Sequence, residues 1–402
     1  MERFISVGII SLMEIVREKV KQACKLLDEL NIDLWLIFVR ETSVMADPTL
    51  SLVVGHHATW QSFFAYSRTG ETVALVGDFD QENFIRSGCF TDVLTYTRSV
   101  RDDFRKFISR FDPETIAINY STSNPSADGL THGMYQLLRG YLEGLPYRER
   151  LISADELTGK LRSRKLPIEI KRLSRAATIA NDCWTEVVPQ IETGMTEIEI
   201  AALIDGLIKQ KGAQPSFDTI VNAGDKTKPG HSLPTDARVQ PGDLLHVDFG
   251  ARYDDYCSDI QRLLYFCRKG ETGPPSEMSE AFDLVGNIIT ETGRKCCPGV
   301  QGHEVDALAR QMLTDHGFSE YQHALGHQLG RDVHDGGAII GPKWERYGVT
   351  PTIELEAGNV LTLELEIILP GIGCVGLEED MQVTENGAEF LCPRQLQLDI
   401  KP

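Results

Sequence analysis

Two stretches of the chain alternate apolar and polar residues and place acids where a sheet tolerates them least. The first, HVDFGARYDDYCSDIQR, runs from His246 to Arg262 and reads as one hairpin. Directly opposed residues of an antiparallel pair have positions of constant sum. A two-residue loop at Tyr253 and Asp254 therefore sets Asp248 opposite Asp259. The second stretch, GNVLTLELEIILPGIGCVGLEEDMQVTENG, runs from Gly358 to Gly387 and turns at PGIG. With Gly371 and Ile372 as a type II′ loop, Glu364 faces Glu379. Opposed Cα atoms sit about 4.5–5.5 Å apart, and like charges there destabilise the sheet. A chain with two such hairpins calls for a cation between the acids. Glu366, which shares a face with Glu364, and Glu378 compete for the same role. Asp254 and Asp255 read as turn residues, and Asp380 as a neighbouring structural acid.

Carboxylates alone suit magnesium or calcium. Imidazole shifts the preference toward manganese, cobalt, iron or zinc. The segment HALGHQLGRDVHD supplies His323, His327 and His334. Its glycines, Gly326 and Gly330, disfavour a helix, so strand and loop are expected. It lacks the H-E-x-x-H spacing of helix-borne zinc sites. His246 shares the strand face of Asp248 and can support it from behind.

The remaining chain sets the frame. With 40 basic and 59 acidic side chains among 402 residues, the net charge is −19. That excludes nucleic acid and anionic membrane as partners and tolerates metal cations and ammonium groups. The nine cysteines form no C-x-x-C pair and read as buried, reduced thiols. The apolar run FISVGIISLM is too short to span a bilayer and reads as a lead-in to a helix, with a cytoplasmic location expected. Residues 14–30 have helical spacing, and DLWLIFV, ETVALVG and TIAINY read as strands. This alternation predicts a small α/β domain over residues 1–158. Pro167 then opens a long amphipathic helix. The segment GMTEIEIAALIDGLIKQKG carries the helical texture on, and helices are expected near 278–293 and 303–316. Residues 159–402 form the second expected domain, and the whole reads as an α+β protein.

These motifs resemble the pita-bread metallopeptidases, a family of Xaa-Pro aminopeptidases, prolidases and methionine aminopeptidases. VDFGARYDDYCSDIQR is similar to their first acidic hairpin. HALGHQLGRDVHD is similar to the H-x-x-x-H-x-x-G-x-D-V-H-D pattern of Xaa-Pro aminopeptidases. TLELEIILPGIGCVGLEEDMQVTENG is similar to the final glutamate hairpin, and LRSRKLPIEIKRLSRAATIAN to the opening of the catalytic domain. Residues 1–158 resemble the creatinase-type N-terminal domain.

The resemblance implies a curved antiparallel sheet and a metal set of Asp248, Asp259, His327, Glu364 and Glu379. Two divalent ions, manganese first and cobalt, zinc or iron as substitutes, would neutralise the four carboxylates. It also implies hydrolysis of an N-terminal peptide bond, Xaa-Pro by analogy, through a metal-bridging hydroxide. Glu364 would carry the proton, His231 and His334 would act at the substrate, and His323 would line the proline-side pocket. A peptide with a free N-terminus and a homodimer are the implied partners. A metal-independent creatinase-type amidinohydrolase, or a non-catalytic relative, is the alternative. The sequence departs from the family at several places, among them Gln328, where glycine is common. E-P-G is replaced by Glu364-Leu365-Glu366. Gln261 stands where threonine is common. The arginine two places before the last ligand is Leu377.

Overall fold

The computed structural model describes residues 2–224, 227 and 232–402, with residues 2–11 described by backbone alone. The chain forms two compact units that meet in sequence between Arg162 and Ser163.

The first unit is a six-stranded mixed sheet in the order β4-β3-β2-β1-β5-β6. Its strands are β1 (Leu34–Val39), β2 (Ser62–Ser67), β3 (Thr72–Gly77), β4 (Asp92–Tyr96), β5 (Ile116–Ile118) and β6 (Leu151–Ser153). The expected strands DLWLIFV, ETVALVG and TIAINY are β1, β3 and β5. The aromatic run SFFAYS forms a further strand, β2, antiparallel to β1. β1 does not alternate in polarity because both of its faces are covered. Trp35 and Ile37 join one core with Val16 and Leu27 of the helix Glu2–Glu29. Leu34, Leu36 and Phe38 join another with Phe104 and Leu138.

The second unit begins with the helix Pro167–Val187. Glu169 accepts from the Leu166 backbone N–H at 2.7 Å and closes its first turn. The helix Glu197–Gln210 is capped by Thr196 and Glu199 acting on each other's backbone. Two further helices run over Ser276–Lys295 and Gly302–Asp315.

The strands are β7 (Gln214–Pro215), β8 (Ile220–Ala223), β9 (Leu244–Phe249), β10 (Ala251–Tyr253), β11 (Tyr256–Cys257), β12 (Ile260–Phe266), β13 (Val360–Leu369), β14 (Gly373–Thr384), β15 (Gly387–Phe390) and β16 (Asp399–Lys401). β13-β14-β12-β9-β8 is the main sheet, with β15 beside β14 and β16 beside β12. It is antiparallel apart from the β12–β16 pair. Helices cover one of its faces. Ile179, Ile200 and Ile204 pack with Leu245, Val247 and Leu264, and Val285 and Ile289 with Leu363, Leu365 and Leu377.

Both acid-bearing hairpins form, but in registers that differ from expectation. In the first, Tyr253 pairs with Tyr256, so the loop is Asp254 and Asp255. Both loop residues are left-handed, at φ 47° and 69°. A type I′ turn requires that conformation twice. Aspartate tolerates it, whereas a bulky tyrosine does not. Asp248 consequently faces Gln261 rather than Asp259.

In the second hairpin Leu369 pairs with Gly373, leaving a three-residue loop of Pro370, Gly371 and Ile372. Gly371 takes φ +75°, the usual place for glycine in such a loop. The one extra loop residue moves the register by one. A slip of one residue exchanges the faces of a strand, so Glu364 faces Glu378 and Glu379 turns to the reverse side.

Candidate metal centre

The corrected registers connect into one row across four strands. Asp248 on β9 faces Gln261 on β12. Gln261 faces Glu378 on β14, and Glu378 faces Glu364 on β13. Asp259 lies two residues from Gln261 along the chain, on the same side of the sheet.

His327 reaches this row from the loop ahead of β13. Glu364 N–H donates to Leu325 O at 2.8 Å, and Thr362 N–H to His327 O at 2.9 Å. The loop thus lies flat against β13. Gly326 permits that approach, because a Cβ there would stand 2.0 Å from Thr362 O. His327 Nε2 is 3.8 Å from Asp259 Oδ2, 3.8 Å from Glu378 Oε1 and 3.9 Å from Glu364 Oε1. Donor atoms of Asp259, His327 and Glu378 all lie within 4.8 Å of one another.

Burial without a counter-charge dominates the electrostatics. Asp248 is pushed up to about 7, chiefly by burial. Glu364 is pushed up to about 8 by burial and by the charges of Asp248 and Glu366. Asp259 and Glu378 are raised further, by burial and by the other acids. Burial and the adjacent His334 push His327 down to about 3, so its imidazole is neutral and its nitrogen free to coordinate. Asp248 Oδ1, Asp259 Oδ1 and Glu378 Oε1 are buried with no hydrogen-bond partner among the described residues. Buried carboxylate oxygens are ordinarily paired. Two of them, on Asp259 and Glu378, cluster with the neutral imidazole of His327 and fit a divalent cation, whose mixed oxygen and nitrogen donors these are.

Glu379, expected in this set, stands elsewhere. Its carboxylate accepts from Arg262 Nη2 at 3.0 Å, with both side chains 1% exposed. The Gln395 N–H donates to its other oxygen at 3.2 Å. Glu378 holds the position expected of Glu379. The alternation of β14 carried this signal: Val375, Leu377, Met381 and Val383 share a face with Glu379, whereas Gly376 and Asp380 share one with Glu378. The residue two places before the cation-facing acid is accordingly Gly376, not Leu377. Leu377 is fully buried in the helix-covered core.

The other expected site residues are dispersed around the cluster. The exposed His334 meets the His327 ring edge-on, 4.4 Å between centroids. The exposed His323 packs against Tyr321. His323 and Tyr321 line a cavity of about 310 Å³ with Glu320, Leu313, Leu369 and Glu366. Opposite Glu366 stands Gly376. His231 lies outside the described residues.

Residues 171–385 match the model of metallopeptidase family M24. An Xaa-Pro dipeptidase of Pyrococcus horikoshii is 31% identical over 265 residues, covering 64% of this chain and 72% of that protein. Among solved structures, an Xaa-Pro dipeptidase from Bacillus anthracis superposes with TM-score 0.75 at 25% identity, over 96% of this chain and all of the other. An X-Pro aminopeptidase from Thermotoga maritima superposes with TM-score 0.73 at 25% identity, over 95% of this chain and 99% of that one.

Proposed function

This chain belongs to metallopeptidase family M24, and from that premise we propose that it is a dinuclear metallopeptidase releasing the N-terminal residue of peptides, with proline favoured after the scissile bond. The single observation that carries this reading is the buried oxygens of Asp259 and Glu378, without hydrogen-bond partners among the described residues and clustered with neutral His327. The proposed metal set is Asp248, Asp259, His327, Glu364 and Glu378. Its four carboxylates balance two divalent cations in charge, which removes most of the cost of burying them. Mixed imidazole and carboxylate donors support manganese, with cobalt, iron and zinc as substitutes.

Two such ions, when bound, acidify a water and polarise the scissile carbonyl. The protein's own residues then have distinct tasks. Glu364 is more open than Asp259 or Glu378, with its side chain 23% exposed against 8% and 2%. It is placed to accept the water's proton and pass it to the leaving nitrogen. His334, beside His327 and open to solvent, donates to the substrate carbonyl oxygen as charge develops there. His323 and Tyr321 contact the residue after the scissile bond. The surrounding acids favour a substrate with a free ammonium group.

Glu366 and Gly376 bear on chain length. Among the described residues Glu366 has no cationic partner, and it stands opposite a position without a side chain. A dipeptide's carboxylate entering this cavity would meet a negative wall. We therefore favour an aminopeptidase of longer peptides over a dipeptidase. None of the helices among the described residues is long and apolar enough to cross a membrane. A cytoplasmic location and a homodimer are carried by the sequence reading and the resemblance, and fractionation and sedimentation test them. The enzyme reading is tested with metal-loaded protein on Xaa-Pro dipeptides, longer Xaa-Pro peptides and controls without proline. Cleavage of longer Xaa-Pro peptides, abolished by a chelator, is expected. No turnover of any peptide with two ions bound would overturn it.

A further inference from the structure

The row of acids is interrupted once, by an amide. Gln261 sits between Asp248 and Glu378 and is 5% exposed. Its Nε2 donates to Glu378 Oε2 at 2.8 Å and, more weakly, to Glu364 Oε2 at 3.4 Å. Carboxylates accept, so the amide nitrogen must face them and Oε1 must face away. Oε1 lies 3.0 Å from Nε2 of His246, which is 7% exposed. That ring nitrogen must carry the proton, since amide oxygen only accepts.

The same arrangement sorts the oxygens of both glutamates. Each Oε2 is turned toward the amide. Each Oε1 lies within 3.9 Å of His327 Nε2, and Glu378 Oε1 has no hydrogen-bond partner among the described residues. Gly376 leaves space for the arrangement. A Cβ there would come within 3.1 Å of Gln261 Oε1 and 3.2 Å of His246 Nε2.

We propose that Gln261 is a positioning residue of the metal centre: its amide engages one oxygen of Glu378 and of Glu364 and so presents the other to the cation, while His246 fixes which way the amide faces. A neutral amide does this without the charge of an arginine or lysine, which would compete with the ion it serves. Partners behind metal ligands typically govern affinity by about 10- to 100-fold. The inference rests on the metallopeptidase reading above.

The test uses Gln261→Met, of similar length but without donor or acceptor, and Gly376→Ala, which crowds the amide–imidazole contact, and the Glu366 Cβ at 3.2 Å, without substituting any acid. Metal-free wild-type and variant chains are titrated with Co²⁺, following heat of binding and the cobalt d–d spectrum. Expected are about 10- to 100-fold weaker binding and an altered spectrum for Gln261→Met, and the same changes, smaller, for Gly376→Ala. If Gln261→Met fails to fold, Gly376→Ala alone decides. Wild-type affinity and spectrum in the folded variants overturn this inference and leave the metallopeptidase reading standing. Absence of cobalt binding by the wild type overturns both.

Discussion

Glu378 and Glu379 are neighbours on one strand, each at most 2% exposed, and they face opposite electrostatic worlds. On one side Glu378 meets Asp259, Glu364 and a neutral imidazole, with no cationic side chain in that cluster among the described residues. On the other, Glu379 meets Arg262 at 3.0 Å and lies 3.9 Å from Arg394. Both carboxyls are raised by burial; Glu379 is pulled back by the charges of its two arginines, Glu378 only by the neutral amide of Gln261 while the neighbouring acids push it further up. The helix-covered face therefore carries its own counter-charge, and among the described residues the site face does not. The difference teaches that a buried acid is structural or functional according to what neutralises it, not according to how deeply it sits.

Exchanging the two acids separately is the sharpest way to break this comparison. Glu378→Gln should lower peptidase kcat/KM about a thousandfold or more, roughly 4 kcal/mol of barrier. Its metal-free thermal stability should hold or rise as repulsion is relieved. Glu379→Gln should show the reverse: near-normal metal content, but a loss of about 3–5 kcal/mol of stability because Arg262 is left buried and unpaired. Metal analysis with denaturant unfolding reads both. Equal effects of the two substitutions on metal content would remove the distinction between the faces.

The pH dependence of the metal-free protein is the next largest effect. Asp248 and Glu364 have folded-state values of about 7 and about 8, above their ordinary 3.8 and 4.5. Stability they contribute is fully present below the ordinary values and is lost as pH rises through the raised ones. His327, lowered from 6.5 to about 3, acts in the opposite sense between those limits. A net loss of order 1–2 kcal/mol is therefore expected between about pH 6.5 and 8. Saturating divalent metal should abolish the loss and add about 2.7 kcal/mol at a hundredfold excess over Kd. A metal-free stability that rises across that interval would contradict the site's account.

The smallest effect sharpens the substrate side. Glu366→Gln should raise kcat/KM for Xaa-Pro dipeptides relative to longer peptides by about tenfold, the equivalent of roughly 1.4 kcal/mol. Steady-state kinetics on matched peptides checks it, and an unchanged ratio would remove Glu366 from substrate selection.

Much of this was legible in the chain. The alternating strands, Pro167 at a helix start and the acids near HALGHQLGRDVHD led to the fold and to Asp248, Asp259, His327 and Glu364 as neighbours. What failed was loop chemistry. Placing Tyr253 in a loop that needs two left-handed residues hid the facing of Asp248 and Gln261. Omitting Pro370 from the second loop exchanged Glu378 for Glu379. A sheet makes such errors all-or-none, since one residue of slip exchanges faces. Gln261 was visible as a departure from the family, but its bonds to Glu378 and Glu364 depend on a cross-strand register that no local pattern encodes.

The most direct test of the central claim is a crystal structure of the protein soaked in manganese, with the ions placed by anomalous scattering. The account expects peaks within about 2.0–2.6 Å of carboxylate oxygens of Asp259 and Glu378, with His327 coordinating and Glu379 still paired with Arg262. A peak bound to Glu379, or well-ordered Asp259, His327 and Glu378 side chains with no peak between them, would contradict it.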